Sequence, residues 1–411
     1  MAITKISPQA RCLDLTRLVS RVGRGPLTGL DRVELEYLDY ILRAGVPVFS
    51  LVKLRRGYAL LDETGTAALQ QRLLGQLSWH KPPLISRLAR LSPPGVAGAR
   101  ASVRASAIAR AGPGRLRGML EGVLPAGTAY LNVGHANLSQ EVLQSFSSLP
   151  GARVTVFVHD TIPLDFPRFQ RQKIVLRFER ELRLVARRAD LLICNSQATL
   201  RDVTRVMSPW GDVPDIVVAH LGIRTAVAKP AELPAGLDTS SPYFVVLGTI
   251  EPRKNHALLL DIWERLCATP DAPRLFVVGQ RGWENPRIFE RLDQRPANVH
   301  ELNNLSDGAV RALLNSAAGL LFPSHCEGFG LPAVEAAALG IPLVCNNLNV
   351  FHEVLGDYPI YADASDSYSL ETIIRKLAKN GGSVNSETRR SRPKVTVPNW
   401  DAHFDHVLRL T

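Results

Sequence analysis

Short apolar segments alternate with amphipathic segments along the second half of the chain, and this alternation restricts the fold more than any other feature. Residues 243–248 read YFVVLG, a continuous apolar run ending in glycine, as expected for a buried strand of a parallel sheet. Residues 256–267 then carry apolar side chains at helical spacing, and residues 274–279 repeat the strand pattern. Strands that alternate with helices predict an α/β fold with a doubly wound parallel sheet.

The same pattern continues to residue 345. We predict helices over residues 309–317 and 333–339, and strands over residues 318–322 and 342–345. Pro332 stands in the first turn of the second helix and Gly340 follows its end, which is the preferred order of these two residue types.

The first half of the chain shows the alternation less regularly. We predict strands over residues 11–15, 47–51, 129–133, 153–159, 191–195 and 215–219, and helices over residues 31–43 and 171–188. Residues 224–242 are rich in Pro, Ala and Ser and lack periodicity, which is typical of a linker. We therefore expect two Rossmann-like domains, 1–223 and 243–396, joined by this linker, with a helix in 397–411 that crosses back to the first domain.

Length and composition agree with two globular domains of ordinary size. The 411 residues exceed what one core usually holds, and no apolar run approaches the roughly 20 residues that span a bilayer. The first residues lack the apolar stretch of a secretory signal, so we expect a cytoplasmic protein. The five cysteines are scattered and never form C-x-x-C, which argues against a disulfide framework and against a zinc site.

Positive charge is concentrated at the start of the chain. The net charge is +11, and residues 1–118 alone hold 19 Lys and Arg against 7 Asp and Glu. Residues 84–118 contain no acidic residue and seven arginines: Arg87, Arg90, Arg100, Arg104, Arg110, Arg115 and Arg117. This segment is either a solvated basic surface or a surface that holds the protein against anionic lipids. Nucleic acid is disfavoured because no aromatic residues are interleaved for base stacking.

The residues with the most specific chemistry lie in segment 322–344. Gly328 and Gly330 permit close backbone approach to a ligand, and the helix that follows directs its positive end at the same place, which favours a phosphate. Glu327 and Glu335 stand eight residues apart, in the loop and in the helix. Both carboxylates can accept hydrogen bonds from hydroxyl groups, which suits a sugar at one end and a ribose at the other.

This segment closely resembles the E-x7-E signature of retaining glycosyltransferases of family 4, with Glu327 and Glu335 at its acidic positions. Residues 248–255, GTIEPRKN, resemble the G-x-x-x-x-[RK]-K-N turn of the same family. The resemblance implies two domains facing across a cleft (the GT-B architecture), a nucleotide-sugar donor and no metal or other cofactor. Arg253 and Lys254 would then neutralise the diphosphate leaving group.

Two motifs of the first half carry weaker resemblances to the same family. Residues 156–163, VFVHDTIP, resemble the histidine-bearing motif that faces the donor sugar, with His159 and Asp160 at the strand end. Residues 189–202 resemble the last strand and helix before the crossover, with Ser196 as a predicted N-cap. Within residues 132–137, NVGHAN, His135 is a candidate on the acceptor side.

Residues 23–29, GRGPLTG, follow a predicted strand and precede a helix. A dinucleotide fingerprint fits poorly, because the spacing has one residue too many and no acidic residue ends the strand over residues 47–51. In the family that the chain resembles, a glycine-rich turn here contacts phosphate or acceptor. Gly25, Thr28 and Gly29 are the candidates, and Arg32 could meet an anionic group.

These resemblances lead us to expect a retaining hexosyltransferase that uses GDP-mannose or a UDP-sugar and acts on a glycan or lipid-linked saccharide. It is similar to bacterial mannosyltransferases of surface polysaccharide assembly, although His325 and Cys326 replace a bulkier apolar-aromatic pair. We expect His159, Asp160, Glu327, Arg253 and Lys254 to be catalytic. The expected donor-binding residues are Gly248, Arg253, Lys254, Gln280, Leu302, Glu327, Gly328, Phe329, Gly330, Leu331, Glu335, Gly25, Thr28 and Gly29, with Arg281 a further candidate. A sugar-nucleotide epimerase and a non-catalytic nucleotide-sugar-binding protein are the alternatives.

Overall fold

A computed structural model describes residues 8–81, 93–283, 285–379 and 395–411. Its strands form two separate sheets, one in each half of the chain. The strands are β1 Ala10–Asp14, β2 Val48–Lys53, β3 Tyr58–Leu61, β4 Ala109–Ala111, β5 Thr128–Asn132, β6 Arg153–Val158, β7 Leu191–Cys194, β8 Asp215–Val218, β9 Tyr243–Leu247, β10 Arg274–Val278, β11 Val299–Leu302, β12 Gly319–Phe322, β13 Leu343–Cys345 and β14 Ile360–Tyr361.

Sixteen α-helices pack on these sheets within the described residues. They are α1 Thr16–Arg21, α2 Gly29–Ile41, α3 Glu63–Leu73, α4 Pro94–Ser106, α5 Leu116–Val123, α6 Gln140–Ser147, α7 Ile162–Asp165, α8 Gln172–Arg188, α9 Gln197–Met207, α10 His256–Leu266, α11 Pro286–Asp293, α12 Asp307–Asn315, α13 Leu331–Ala338, α14 Asn349–Leu355, α15 Ser367–Lys379 and α16 Trp400–Val407. Among the described residues, none of the helices has the length and apolar character that a membrane span requires.

The first sheet has the strand order β4-β3-β2-β1-β5-β6-β7-β8. Six of these strands are parallel to one another, as predicted: β2, β1, β5, β6, β7 and β8. Each of the six lies within two residues of its predicted bounds. The antiparallel edge formed by β3 and β4 was not predicted. Both strands are only three or four residues long, and β3 follows β2 after a tight turn, so neither shows a separate apolar period.

The second sheet is parallel throughout, in the order β11-β10-β9-β12-β13-β14. Four of its strands, β9, β10, β12 and β13, are short and almost wholly apolar, as expected for strands covered by helices on both faces. Trp263 and Phe244, both fully buried, meet edge to face at 6.0 Å between ring centroids on one side of the sheet. The fold class expected from the sequence, an α/β fold with doubly wound parallel sheets, is confirmed.

The last helix, α16, packs on the first domain. Phe404 stacks on Tyr40 at 4.0 Å between centroids, and the Tyr37 hydroxyl donates to His403 Nε2 at 2.7 Å. Arg11 donates to the carbonyl oxygens of Leu408 and Thr411. The segment that follows α16 therefore contacts strand β1 of the first domain.

A second contact between the halves lies at the start of α9. The Glu353 carboxylate, on α14, accepts hydrogen bonds from the backbone N–H groups of Gln197 at 2.6 Å and Ala198 at 3.0 Å. A helix N-terminus favours such a negative charge. His220 also contacts Glu353, at 2.8 Å between Nε2 and Oε1. The hydrogen bonds of Glu353 with His220 and with the first N–H groups of α9 help to set the relative position of the two domains.

Candidate active site

The carboxyl edge of the second sheet brings Glu327 against the two basic residues of the loop after β9. Lys254 Nζ lies 2.5 Å from Glu327 Oε1, and Arg253 Nη1 lies 2.8 Å from Glu327 Oε2. The strands β9 and β12 are neighbours, so the loops that follow them emerge side by side. This adjacency explains why residues 73 positions apart meet.

Burial and charge act in opposite directions on Glu327. Its side chain is 6% exposed, and this desolvation alone would raise the pKa of the carboxyl. The positive charges of Arg253 and Lys254 outweigh burial and hold the pKa at about 2. Desolvation lowers the pKa of Lys254, but Glu327 opposes that change. Glu327 is therefore a carboxylate throughout the physiological range.

Glu251 joins Glu327, Arg253 and Lys254 in a group of four charged residues, the Glu327 cluster. The sequence analysis did not predict Glu251 as a member of the site. Its Oε1 lies 2.5 Å from Arg253 Nε, and its side chain is 2% exposed. Burial raises the pKa of Glu251, and its Oε2 is buried without a hydrogen-bond partner among the described residues. One feature of the sequence could have indicated Glu251. This acidic residue stands between a buried strand and the basic residues Arg253 and Lys254, a position where we do not expect a solvated side chain.

Gly328 joins this cluster to the first domain. A Cβ atom on Gly328 would lie 2.4 Å from the carbonyl oxygen of His159 and 3.0 Å from Asp160 Cβ. Thr199 Oγ1 of the first domain also donates to the Gly328 carbonyl oxygen at 3.3 Å. The structure thus brings the strand end after β6 against the Glu327 loop, with room for glycine only.

His159 and His135 both donate to backbone carbonyls beneath the cleft. His159 Nε2 lies 2.7 Å from the Val133 carbonyl oxygen, and His135 Nε2 lies 2.6 Å from that of Phe157. Burial lowers the pKa of His159 well below its usual value, with the neighbouring His135 adding to the effect, and lowers that of His135 to about 4. Both rings are neutral near pH 7, and Nδ1 of His159 is the ring atom left to meet a ligand.

Asp160 adds a carboxyl group of the first domain to the cluster. Its Oδ1 accepts a hydrogen bond from the Ile162 N–H at 3.0 Å. Burial raises the pKa of Asp160 to about 6 against the lowering effect of Arg253, and Glu327 raises it further. Near neutral pH this group can therefore hold or release a proton.

Glu335 lies at the other end of the site, on α13. Arg32 of the first domain contacts it at 3.2 Å between Nη1 and Oε1, and Arg32 Nη2 also binds Asp307. Burial raises the pKa of Glu335. The Glu335 carboxylate, predicted to hold a ribose, is thus engaged by an arginine of the opposite domain.

The glycine-rich loop of residues 23–29 faces the second domain. A Cβ on Gly25 would lie 4.0 Å from Gln280 Cδ, and one on Gly29 would lie 3.6 Å from Leu331 Cδ1. Thr28, a predicted contact of phosphate or acceptor, is the N-cap of α2: its hydroxyl bonds to Asp31 Oδ2 at 2.7 Å, and Arg17 donates to it.

The remaining predicted donor-binding residues surround the same edge. Gly330 has φ +85°, and a Cβ there would meet the Phe351 ring at 2.5 Å, so only glycine fits. Phe329 is buried, and Gly248 leaves room for the Lys254 side chain, whose Cε would lie 3.4 Å from an added Cβ. Leu302 ends β11, two residues before Asn304, which accepts from Gln280 Nε2 at 2.6 Å.

Arg281, by contrast, is engaged away from the cluster. Its guanidinium group contacts Glu301 at 2.7 Å and Asp293 at 2.6 Å. It serves as a link between β11 and α11, so Gln280 is the better placed of the two neighbours for a ligand. Within the part of the chain that the structure describes, no three His, Cys, Asp or Glu side chains are grouped as a metal site would require.

Residues 233–393 match the family model described as "Glycosyl transferases group 1". We refer to this segment as the group 1 domain. The matched residues contain the whole Glu327 cluster and Glu335, so the group 1 domain supplies the second-domain side of the site.

Curated relatives of this group 1 domain include bacterial mannosyltransferases. The chain is 31% identical over 244 residues to the serotype-specific mannosyltransferase WbdA of Escherichia coli, a match that covers 55% of this chain and 30% of WbdA. It is 30% identical over 162 residues to the O-antigen chain mannosyltransferase B of Escherichia coli, covering 39% of this chain and 42% of that protein. The chain thus spans less than half the length of these relatives.

Solved structures extend the likeness to the whole chain. HepE of Anabaena, solved with UDP-glucose, superposes with a TM-score of 0.59 at 16% identity and covers 98% of this chain and 97% of its own. Sucrose-phosphate synthase of Thermosynechococcus elongatus gives a TM-score of 0.58 at 16% identity, covering 98% of both chains. At this identity the likeness shows the fold alone: the group 1 domain and the first domain form a GT-B architecture.

Proposed function

We propose that this chain is a retaining glycosyltransferase that moves a hexose, with mannose as the first candidate, from a nucleotide sugar to a glycan or lipid-linked saccharide during synthesis of a bacterial surface polysaccharide. The group 1 domain and its similarity to two mannosyltransferases support the class of reaction. The observation that carries the proposal is the contact of Gly328 with His159, which sets the Glu327 cluster against Asp160 across the cleft.

Charge in the site suits a departing nucleoside diphosphate without a metal ion. Arg253 and Lys254 supply two cations beside the backbone turn that opens α13, whose N-terminus carries positive partial charge. Glu327 and Glu251 balance the charge of these cations. A diphosphate would share them, and the charge that develops on the leaving oxygen would be stabilised by groups already in position.

The state of Glu327 favours a positioning role over nucleophilic attack. A carboxylate with a pKa of about 2 and two ion pairs is a weak base and a poor nucleophile. It can accept hydrogen bonds from donor-sugar hydroxyls while it holds Arg253 and Lys254 in place. In our mechanism the acceptor hydroxyl attacks from the face that the nucleotide leaves, and the leaving phosphate takes its proton, so the anomeric configuration is retained.

The donor would lie along the line from Glu327 to Glu335. The sugar would contact Glu327 and His159, the phosphates would meet the turn over Gly328 and Gly330, and the ribose would reach Glu335. The base would then lie towards Gln280 and Leu302, where the loop holding Gly25 faces the second domain. GDP-mannose is our first choice of donor and a UDP-sugar the second.

The basic residues of the first domain suggest to us where in the cell the reaction takes place. We place it in the cytoplasm, at the inner face of the plasma membrane, where residues 84–118 would contact anionic lipids and bring the enzyme near a lipid-linked acceptor. Arg87 and Arg90, which belong to this predicted surface, lie outside the described residues.

A screen of nucleotides for thermal stabilisation, followed by transfer assays with the best binder, tests the proposal. Stabilisation by GDP, and transfer of mannose from GDP-mannose with retention, are the expected results. Absence of stabilisation by any nucleotide would refute the proposal. Because Asp160 brings a carboxyl group of the first domain to the cleft, incubation of the nucleotide sugar without acceptor is included: conversion to an epimeric nucleotide sugar would identify the epimerase alternative.

A further inference from the structure

A cavity of about 610 Å³ lies at the outer edge of the first sheet, apart from the Glu327 cluster. The turn after β2, the end of α4 and the outer strand β4 form its walls. Three arginines, Arg56, Arg104 and Arg110, line it together with Tyr58 and Ile108. Each arginine comes from a different wall, so three guanidinium groups converge on one space.

The positive charge of this cavity is not balanced by a carboxylate of the described residues. Among the residues that the structure describes, none of its three arginines is ion-paired with a carboxylate. The nearby Glu141 is already engaged, since it accepts from the Tyr58 hydroxyl at 3.0 Å and from the Gly114 N–H at 2.7 Å. Segment 84–118 itself contains no acidic residue. Three like charges around one cavity favour the binding of an anion.

Neighbouring arginines extend the same field towards the cleft. Burial lowers the pKa of Arg100, and the charges of Arg104, Arg24 and Arg55 lower it further, so each of these three arginines lies within electrostatic range of Arg100. Arg24 belongs to the loop of residues 23–29, whose Gly25 faces Gln280 across the cleft. A basic surface therefore runs from the candidate donor site to the cavity.

The contacts between the loop and α4 make this surface continuous. A Cβ on Gly95, at the start of α4, would lie 2.8 Å from the Val22 carbonyl oxygen and 3.1 Å from Gly23 Cα. The helix thus packs directly on the loop that lines the cleft, and its far end carries Arg104 into the cavity.

The chemistry of the cavity fits a phosphate attached to an organic group. Guanidinium groups bind phosphate oxygens in a two-pronged geometry that a single ammonium cannot match. Strand β4 pairs only with β3, so its other edge presents backbone groups that no described strand uses. Ile108 is 48% exposed beside Arg110, which provides an apolar surface next to the charges.

We propose that this cavity binds a phosphate or diphosphate group carried by the acceptor, and that the basic surface from Arg24 to Arg110 guides the acceptor towards the donor cleft. This assignment rests on the proposed function, because it presumes that an acceptor enters the cleft. It restricts the acceptor to phosphorylated saccharides, whether free or lipid-linked.

Calorimetric titration of inorganic pyrophosphate into the full chain tests the site, with the donor site saturated by the stabilising nucleoside diphosphate. The variant is the double substitution Arg104→Gln and Arg110→Gln. The control is Arg117→Gln, an arginine of the same basic segment that is instead paired with Glu121 at 2.6 Å. We expect the double variant to lose at least about tenfold in pyrophosphate affinity, with the control unchanged.

A second arm separates the acceptor phosphate from a lipid headgroup. Co-sedimentation with phosphatidylglycerol vesicles should fall by less than about twofold in the double variant, because the other basic residues of the segment remain. Unchanged pyrophosphate affinity would overturn the site, and a tenfold loss of vesicle binding would overturn its assignment to the acceptor. Thermal stabilisation by nucleotide, measured on the same samples, reports the proposed function separately, since the double variant leaves the donor site intact.

Discussion

Gly328 and His159 lie so close that a single methyl group could not be placed between them: a Cβ on Gly328 would be 2.4 Å from the His159 carbonyl oxygen. The two residues belong to different domains, and this approach brings Asp160 beside the Glu327 loop. The relative position of the domains is therefore determined, at this point, by the absence of a side chain.

Substitution of Gly328 by alanine tests that closure. The methyl group should hold the domains apart and lower the transfer rate by about a hundredfold, since displacements near 1 Å at a reacting centre have effects of this size. Nucleotide affinity should change little, because the second domain keeps its own contacts. Gly118→Ala is the control, since an added Cβ there meets nothing within 4 Å. Wild-type activity in Gly328→Ala would show that the closed contact is dispensable.

Replacement of Glu327 by glutamine removes the charge that balances Arg253 and Lys254. We expect transfer to fall by about two orders of magnitude, comparable to the loss of one positioned polar group in an active site. Glu371→Gln is a matched control, because Glu371 also pairs with two arginines, Arg265 and Arg375, but lies outside the cleft. Initial rates and melting temperatures of both variants separate catalysis from stability; equal rates would remove Glu327 from the mechanism.

Asp160 should make stability depend on pH. Its pKa is raised from 3.8 to about 6 in the folded protein, so the native state binds the proton more tightly than the unfolded chain does. The resulting stabilisation is complete below pH 3.8 and is lost as pH rises through about 6. The unfolding free energy of Asp160→Asn should therefore rise relative to that of the wild type between pH 4 and 7, by at most about 3 kcal/mol. A difference that stays constant over this range would contradict the assignment.

Arg32 forms an ion pair with Glu335, the carboxylate that we propose binds the ribose of the nucleotide. We therefore predict that Arg32 competes with the ribose for Glu335. Arg32→Ala should then tighten nucleotide binding by up to about fivefold, because a partly exposed ion pair is worth at most about 1 kcal/mol. Arg43→Ala is the control, since Arg43 pairs at 2.5 Å with Asp39, a residue of the same helix α2 that carries Arg32. Titration of the nucleotide decides the matter: weaker binding in Arg32→Ala would mean that Arg32 itself holds the nucleotide.

The last helix should contribute strongly to the stability of the first domain. Phe404 is 1% exposed and packs between Tyr37 and Tyr40, with ring centroids at 4.9 and 4.0 Å. Phe404→Ala should cost about 3–5 kcal/mol of unfolding free energy, as other large buried truncations do. His406→Ala, on the exposed face of the same helix, should change the melting temperature little. Equal melting temperatures in the two variants would exclude a stabilising role for the docked helix.

The sequence alone was sufficient for the properties that depend on neighbouring residues. Buried parallel strands are continuous apolar runs, so the six parallel strands of the first sheet and four of the second, β9, β10, β12 and β13, were located within two residues. The strands β11 and β14 were missed, because β11 carries His300 and Glu301 and β14 has only two residues. The turn before α13 was marked by its glycines and Pro332. The short antiparallel strands β3 and β4 were missed because three or four residues do not establish a period. Ser196 was correctly predicted as an N-cap, since its hydroxyl accepts from the Thr199 N–H at 3.0 Å.

Only the tertiary structure decided which distant groups share an environment. The adjacency of β9 and β12 sets Glu327 against Arg253 and Lys254, and the closed cleft sets Gly328 against His159. The ionisation of these groups follows from that arrangement: burial raises the pKa of Asp160, while two cations lower that of Glu327. The spacing of Glu327 and Glu335 in the sequence therefore indicated where the site lies. It could not indicate the ionisation of the site residues, because electrostatic energy depends on distances between groups in space and on their burial.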